Sequence, residues 1–577
     1  MKKTLSIIIG IALSFINILE INPSIITTLN NNDPAPIFKT LYPYTYLYQN
    51  EKEYLKERTD ILDPQWFSLS VSPFIQVASK GKDINRNTTE LGNLQGRWNL
   101  IAALPFDGPN ANDIPEGQEP IKNLVDIRND LLSCIEDVFI TTGCQQTPCL
   151  PKPNELESVK GLISLQRPDQ LFGFLSVPIK YRKIGVRFEL EAKIFSDFGF
   201  SFQTGVADIS QVACFVDETI SPRGCLPYGC SNPLDSSNTA PFGGGPTCPN
   251  ASTSSTPQIG SPALPKTCSN NTALQPGACK TCAPGCSTTP PQSSPCPPTI
   301  NPPLTCANPF TDDKVTKQQW NNVSDCVHTE LMNKLPQIAK STGIDLCNFN
   351  KTSIEDLHFE FWWRHAFNVD PCVKYPGMCW SPFLFVPFVS IGTSIGTGAT
   401  KNVDNPLSVP FGNNGHHALR FNTGFSLDFY ETIEIGMNAG VAWFFRKNFN
   451  GFRVPTNQFQ TGIIPYKTNV EIKPGETWHI SLNMNAVHFL GCLSAYAEYL
   501  FVNHTRDKIR VCAPNQNNAF KPEVLECVSP WTVHLFNVGI NYDISPNFTI
   551  GTAIQIPLDR RNAYKSTTYM AACTITF

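Results

Sequence analysis

Charged and amide side chains in this chain recur at every second position of otherwise apolar stretches, the spacing that sends them all to one side of a strand. Val186, Phe188, Leu190, Ala192 and Ile194 alternate with Arg187, Glu189, Glu191 and Lys193. Further along, His358, Glu360 and Arg364 punctuate Leu357, Phe359, Phe361 and Trp363, and Arg420 and Asp428 open and close a run of alternating Leu and Phe. Glu434 and Glu498 extend the set, with amides at Asn422, Asn438, Asn483, Asn485, Asn537 and Asn541. Both signs of charge are present, so the set can line an aqueous route without a strong preference for anions or cations, or can close on itself as a network of ion pairs and amides. Six histidines (His358, His365, His416, His417, His479 and His534) could serve acid–base chemistry, but none stands in a nucleophile motif. The sequence therefore predicts no enzyme and no cofactor.

Cysteines are the other reactive group. Ten fall between Cys214 and Cys306, amid Pro, Gly, Ser, Thr and Asn, a composition that cannot form an apolar core without staples. Cys279, Cys282 and Cys286 have part of a zinc spacing, but a structural zinc site needs a second ligand pair, so disulfides are the expectation and no metal is predicted. Outside this insert, Cys372 with Cys379 and Cys512 with Cys527 are spaced for local disulfides, and Cys134, Cys144 and Cys149 form a further group.

The elements that must position these side chains are strands. Each alternating segment is about ten residues long, enough for a tilted strand to cross a bilayer's hydrocarbon layer. Short turns alternate with long polar loops along the chain. The segment Ser566–Phe577, STTYMAACTITF, puts Tyr569, Ala571, Cys573, Ile575 and Phe577 on one face. This pattern resembles the C-terminal insertion signal of bacterial outer-membrane β-barrel proteins. The resemblance implies an all-β fold, a transmembrane antiparallel β-barrel in contact with outer-membrane lipid and the barrel-assembly machinery. Counting strands back from Phe577 gives twelve, the earliest two being 171–181 and 184–194; adding Trp66–Gln76 and Gln95–Leu104 gives fourteen. With Phe577 in the periplasm, the cysteine-rich insert falls outside the cell, where it could also cross-link neighbouring copies.

The organisation that follows is a signal peptide over 1–24, from its Lys2–Lys3 start and apolar Leu5–Leu19 run; an N-terminal segment over 25–170, partly periplasmic or lumenal, with or without the first two strands; barrel strands over 171–208; the Cys/Pro-rich extracellular insert over 209–353; and barrel strands over 354–577. A few short helices complete it. One has Ile121, Leu124, Val125, Leu131, Leu132, Ile135 and Phe139 on one face, and another runs from Trp320 to Leu335. Composition agrees: 41% of the 577 residues are hydrophobic and only 16% charged, and a net charge of −4 offers no basic surface for nucleic acid. The function that this organisation predicts is a pore or transporter for small solutes, or a surface protein that the barrel anchors to display the insert. Replacing Phe577 by Ser is expected to cut the yield of heat-modifiable barrel in the outer membrane several-fold; unchanged assembly would remove the insertion-signal reading.

Overall fold

A computed structural model describes residues 66–105, 121–141, 172–195, 197–217, 317–368, 383–429, 433–512, 519–545 and 547–577, with short pieces at 162, 373–375 and 378–380. Twelve strands form a closed antiparallel meander: β1 (Phe67–Ala78), β2 (Ile179–Phe195), β3 (Phe198–Ala213), β4 (Leu357–Arg364), β5 (Phe383–Ile395), β6 (Ala418–Phe429), β7 (Ile433–Phe444), β8 (Thr477–Leu490), β9 (Leu493–His504), β10 (Trp531–Ser545), β11 (Phe548–Arg561) and β12 (Thr567–Thr576). Every strand pairs with its sequence neighbours, and β12 pairs with β1 to close the ring. At that seam Phe577 O accepts hydrogen bonds from the amides of Trp66 (2.7 Å) and Phe67 (3.1 Å), and Phe577 N donates to Phe67 O (2.8 Å).

The alternation dictates the two faces. Large apolar side chains point outward and stay exposed, among them Leu69, Ile75, Phe188, Phe361, Ile391, Ile435, Leu482, Ile540, Ile550, Tyr569 and Phe577. In a protein of water this would be an implausible surface; in lipid it is the belt that a transmembrane barrel presents. Among the described residues no helix is long and apolar enough to cross a membrane, so the strands are the spanning elements. Trp531, at the start of β10, faces inward, 5% exposed, with its ring stacked on His504 at 5.5 Å.

Twelve is the correct count, but its membership differs from the sequence expectation. Segments 171–181 and 184–194 are not two strands, because β2 runs unbroken for 17 residues. The exposed Lys180 and Arg182 point outward on β2 while Lys183 points inward and is 1% exposed, so the apolar alternation lapses without any turn. Phe67–Ala78 supplies the missing strand. Gln95–Leu104 is not a barrel strand, which removes the fourteen-strand version: only Trp98–Asn99 is extended, pairing with Phe174–Leu175 outside the barrel, Leu100 to Leu104 are all buried, a pattern incompatible with a two-faced strand, and Ile101–Ala103 forms a 3-10 turn.

The connections after β1, β3, β5, β7 and β9 leave the barrel at the end remote from Phe577 and pack into a cap, whereas 365–382, between β4 and β5, lies at the Phe577 end. The described part of 79–178 lies in the cap too. Helix α1 (Lys122–Thr141) buries Leu124, Ile127, Leu131 and Ile135 against α2 (Lys317–Val327), which buries Val323 and Val327. The short α3 (Leu335–Thr342) adds Leu335 and Ile338, and the same core continues down to the inward-facing Phe74, Tyr496 and Met570 of the barrel. Cys134 on α1 is disulfide-bonded to Cys326 on α2, across 192 residues of sequence. A second, smaller core lies on a three-stranded sheet of Lys447–Arg453, Lys467–Lys473 and Lys508–Val511, with Phe520 beside the short helix α4 (Pro522–Cys527).

Inside the barrel, aromatic rings lie against glycines of the neighbouring strand. A Cβ on Gly199 would stand 2.0 Å from Trp362 Cζ2, so only glycine leaves room for that ring. Gly199→Ala is expected to destabilise the barrel by ~1–3 kcal/mol through overpacking, measured as the urea midpoint of the heat-modifiable form in detergent. Adding Trp362→Leu should restore most of it; an unaffected Gly199→Ala barrel would show that the ring is not seated there.

Candidate functional site: the polar lumen

The ten side chains singled out from the sequence (Arg187, Glu189, Glu191, Lys193, Glu360, Arg364, Arg420, Asp428, Glu434 and Glu498) all take the inward-facing parity of their strands, opposite to the exposed apolar set. Arg187, Glu360, Arg420, Asp428, Glu434 and Glu498 are buried. Amides bond two of them, Asn537 Nδ2 donating to Glu498 Oε2 at 2.8 Å and Asn485 Nδ2 to Glu434 Oε2 at 3.3 Å, and Asn422 Nδ2 donates to Ser390 Oγ at 3.1 Å. Arg364 lies over the Trp362 ring, 5.0 Å from its centroid.

The lumen contains a carboxylate, Glu355, that the alternation rule missed. Glu355 receives a two-pronged contact from Arg187, Nε to Oε2 at 2.7 Å and Nη2 to Oε1 at 2.9 Å, and Lys183 Nζ sits 2.8 Å from Oε1. The Arg187 guanidinium also covers the Phe74 ring at 4.1 Å. By the parity of β4, Glu355 should face lipid. The strand Phe349–Ile354 pairs with β3 in one register (Val206 with Ile354) and β4 in another, one residue shifted (Gln203 with His358), so Glu355 and Asp356 occupy a bulge. A bulge re-aims a side chain: Glu355 turns inward above Gly205, where a Cβ would come within 2.5 Å of Oε2. Asp356 turns to the cap and accepts from the amides of Gly398 (2.9 Å) and Asn413 (2.6 Å). Two adjacent carboxylates between two alternating runs were the only sequence signal of this break.

The histidines scatter. His358 and His479 face inward, His365 Nδ1 lies 3.0 Å from Asp197 at the Phe577 end, and His534 faces outward beside the Tyr499 hydroxyl at 2.6 Å. His416, beyond β6 in the cap, donates Nδ1 to Phe445 O at 2.9 Å, and its burial pushes its pKa down to about 4. At the far rim a group not foreseen from sequence joins Thr477, His504 and Asp507: Asp507 Oδ1 accepts from His504 Nε2 (2.7 Å) and from the Gly475 amide (2.8 Å), and His504 Nδ1 lies 2.8 Å from Thr477 Oγ1. The order hydroxyl, imidazole, carboxylate is that of nucleophilic catalysis. Here the three residues are 5%, 2% and 0% exposed, so no substrate reaches them and they serve to tie β8 to the loop after β9. Burial lifts the Asp507 carboxyl to about 6, against the opposing pull of His504 and the Gly475 amide.

The cysteine expectations are revised. Cys512 is an exposed free thiol, so the Cys512–Cys527 disulfide is not formed; Cys527 is buried at the end of α4. Cys372 and most of the 209–353 insert lie outside the described residues, and with them the Cys372–Cys379 pair and the cluster at Cys279. Cys214 and Cys347, at the two ends of the insert, are both disulfide-bonded. Cys573, in the insertion-signal stretch with Tyr569, Ala571 and Ile575, is a thiol on the outward face of β12.

Fold and lumen define a transmembrane β-barrel of the bacterial outer-membrane type. The sequence matches no family model and no characterised protein sequence. Among solved structures it is similar to an outer membrane channel from Pseudomonas putida (5% identity over 90% of this chain and 97% of that one, TM-score 0.37). It is also similar to the P. putida toluene transporter TodX (7%, 89% and 91%, TM-score 0.27) and to the translocator domain of the autotransporter NalP from Neisseria meningitidis (7%, 93% and 99%, TM-score 0.27). These values are too low to transfer any property, and the class rests on the closed strand register and apolar belt of the chain itself.

Glu355→Gln would leave Lys183 and Arg187 without their carboxylate and is expected to cost ~3–5 kcal/mol if the trio is dry, read as the urea midpoint in detergent. A cost below about 1 kcal/mol would mean that lumen water already solvates the two cations.

Proposed function

We propose that this protein is a bacterial outer-membrane pore or transporter for small polar solutes, exported by the signal peptide expected at its N-terminus and folded with the help of the barrel-assembly machinery. The observation that carries this reading is the set of lumenal amide and hydroxyl atoms that are buried yet have no hydrogen-bond partner among the described residues: Asn483 Oδ1, Asn485 Oδ1, Asn537 Oδ1, Asn541 Oδ1, Ser481 Oγ and Thr568 Oγ1. Buried polar atoms left unmatched by protein are matched by water, and six of them on β8, β10 and β12 trace a wet strip along the interior. Twelve strands enclose more space than the eight that side chains alone can fill. In this orientation Phe577 is periplasmic, and the cap and the cysteine-rich insert are extracellular.

A second reading is supported by the cap itself, whose apolar core runs into the upper lumen and is tied by Cys134–Cys326. A barrel sealed in this way would anchor the insert for adhesion or for cross-linking of neighbouring copies. Planar-bilayer recording separates the two. The pore reading expects discrete single-channel steps from the folded protein, larger after reduction of Cys134–Cys326 loosens the cap. Silent bilayers from heat-modifiable, correctly folded protein, with and without reductant, would leave the anchor.

A further inference from the structure

Between the cap loops, above the ends of β2 and β3, lies a cavity of about 130 Å³ whose walls come from segments spread along the chain from Leu91 to Tyr564. Its apolar surface is supplied by Trp98, Ile179, Leu407, Ile464 and Tyr564. Its lining includes two cations, Lys401 and Arg453, and no carboxylate. The Arg453 guanidinium is fully engaged: it donates to the carbonyls of Val403, Ile464, Pro465, Thr342 and Gly343 and to Asp404 Oδ1 at 2.7 Å. It therefore frames the cavity and has no donor left for a ligand.

Lys401 and Gln211 are different. Lys401 is half-buried on the cavity wall and forms no ion pair among the described residues, and burial alone pushes its ammonium down to about 8. Gln211, on the inward face of β3, is 1% exposed, and its Nε2 has no hydrogen-bond partner among the described residues. A half-buried cation without a counter-charge and a buried amide without an acceptor are both costly. Both costs are relieved by one ligand that brings an anionic acceptor.

We infer that the cap cavity is a binding site for a small carboxylate with an apolar body, its carboxylate held by Lys401 and Gln211 and its body packed between Trp98, Ile179 and Leu407. The cavity is of the order of a single small ring, slightly below the roughly 150 Å³ that accommodates benzene. The site lies where the cap meets the barrel, and it stands whether or not the lumen conducts.

The test is calorimetric titration of the full chain, folded in detergent, with benzoate, benzyl alcohol and benzylamine, which share a body and differ in charge. Benzoate is expected to bind at least tenfold more tightly than the alcohol, and benzylamine not at all. Lys401→Met should bring benzoate and benzyl alcohol within threefold of each other, and Gln211→Leu should weaken benzoate several-fold while sparing the alcohol. Lys401→Gln carries the same reading should the Met variant not fold, with heat-modifiable mobility as the check. No benzoate binding, or a benzoate preference that survives loss of the Lys401 charge, would overturn the assignment. Because binding is read without a bilayer, its failure is distinct from an absence of conductance.

Discussion

The rest of the structure depends on the requirement that every backbone amide and carbonyl at membrane depth be paired within the protein. A sheet meets it only by closing, and here closure brings Phe577 against Trp66 and Phe67, so that β1 and β12 share one seam. Once the two ends of the meander meet at one rim, the strand number is even. Long insertions can then collect at the opposite rim without disturbing the short turns. The cap is a consequence of this asymmetry, since 79–178, 214–356, 396–417, 445–476 and 505–530 all emerge at the same place.

Loops of that length must satisfy their own backbone groups, and Arg453 is the main device by which they do so. Its single guanidinium accounts for carbonyls from three segments: Val403, Ile464 with Pro465, and Thr342 with Gly343. The last two belong to the end of α3, where orphan carbonyls and the negative end of the helix dipole both favour a cation. Asp404 pairs with the guanidinium and is shared with a second cation, Lys467, at 2.6 Å. Apolar burial drives the cap together, but this one side chain fixes which loop lies beside which.

How much of this was legible in the sequence follows from period. Wherever a strand has lipid on one side and polar lumen on the other, as in β6, β7 and β12, strict alternation reveals both its existence and its inward residues. It fails where the environment changes along the strand. Lys180 and Arg182 lie outward beyond the apolar belt, so β2 looked like two strands. Leu100 to Leu104 are buried on all sides in the cap, so a compact turn looked like a strand. The bulge at Glu355 and Asp356 inverts parity for one residue, and with it hides the carboxylate that holds Lys183 and Arg187. The Cys134–Cys326 bridge joins residues 192 apart and depends on helix packing that no local spacing announces.

The charges that alternation did reveal are unevenly placed along the lumen. Toward the Phe577 end lie Glu189, Glu191, Asp428, Glu434 and Asp543, with only Lys193 and Arg364 of opposite sign on the same stretch of the inward face. Midway, Lys183, Arg187 and Arg420 face Glu355 and Glu360. An ion of either sign crossing the barrel therefore meets one region that attracts it and another that repels it, in a space where water screens charge poorly. A neutral or zwitterionic solute meets no such barrier, and the amide strip of β8 and β10 offers it hydrogen-bond partners along the way. On the pore reading proposed above, the sign pattern disfavours simple ion conduction and favours polar solutes of low net charge.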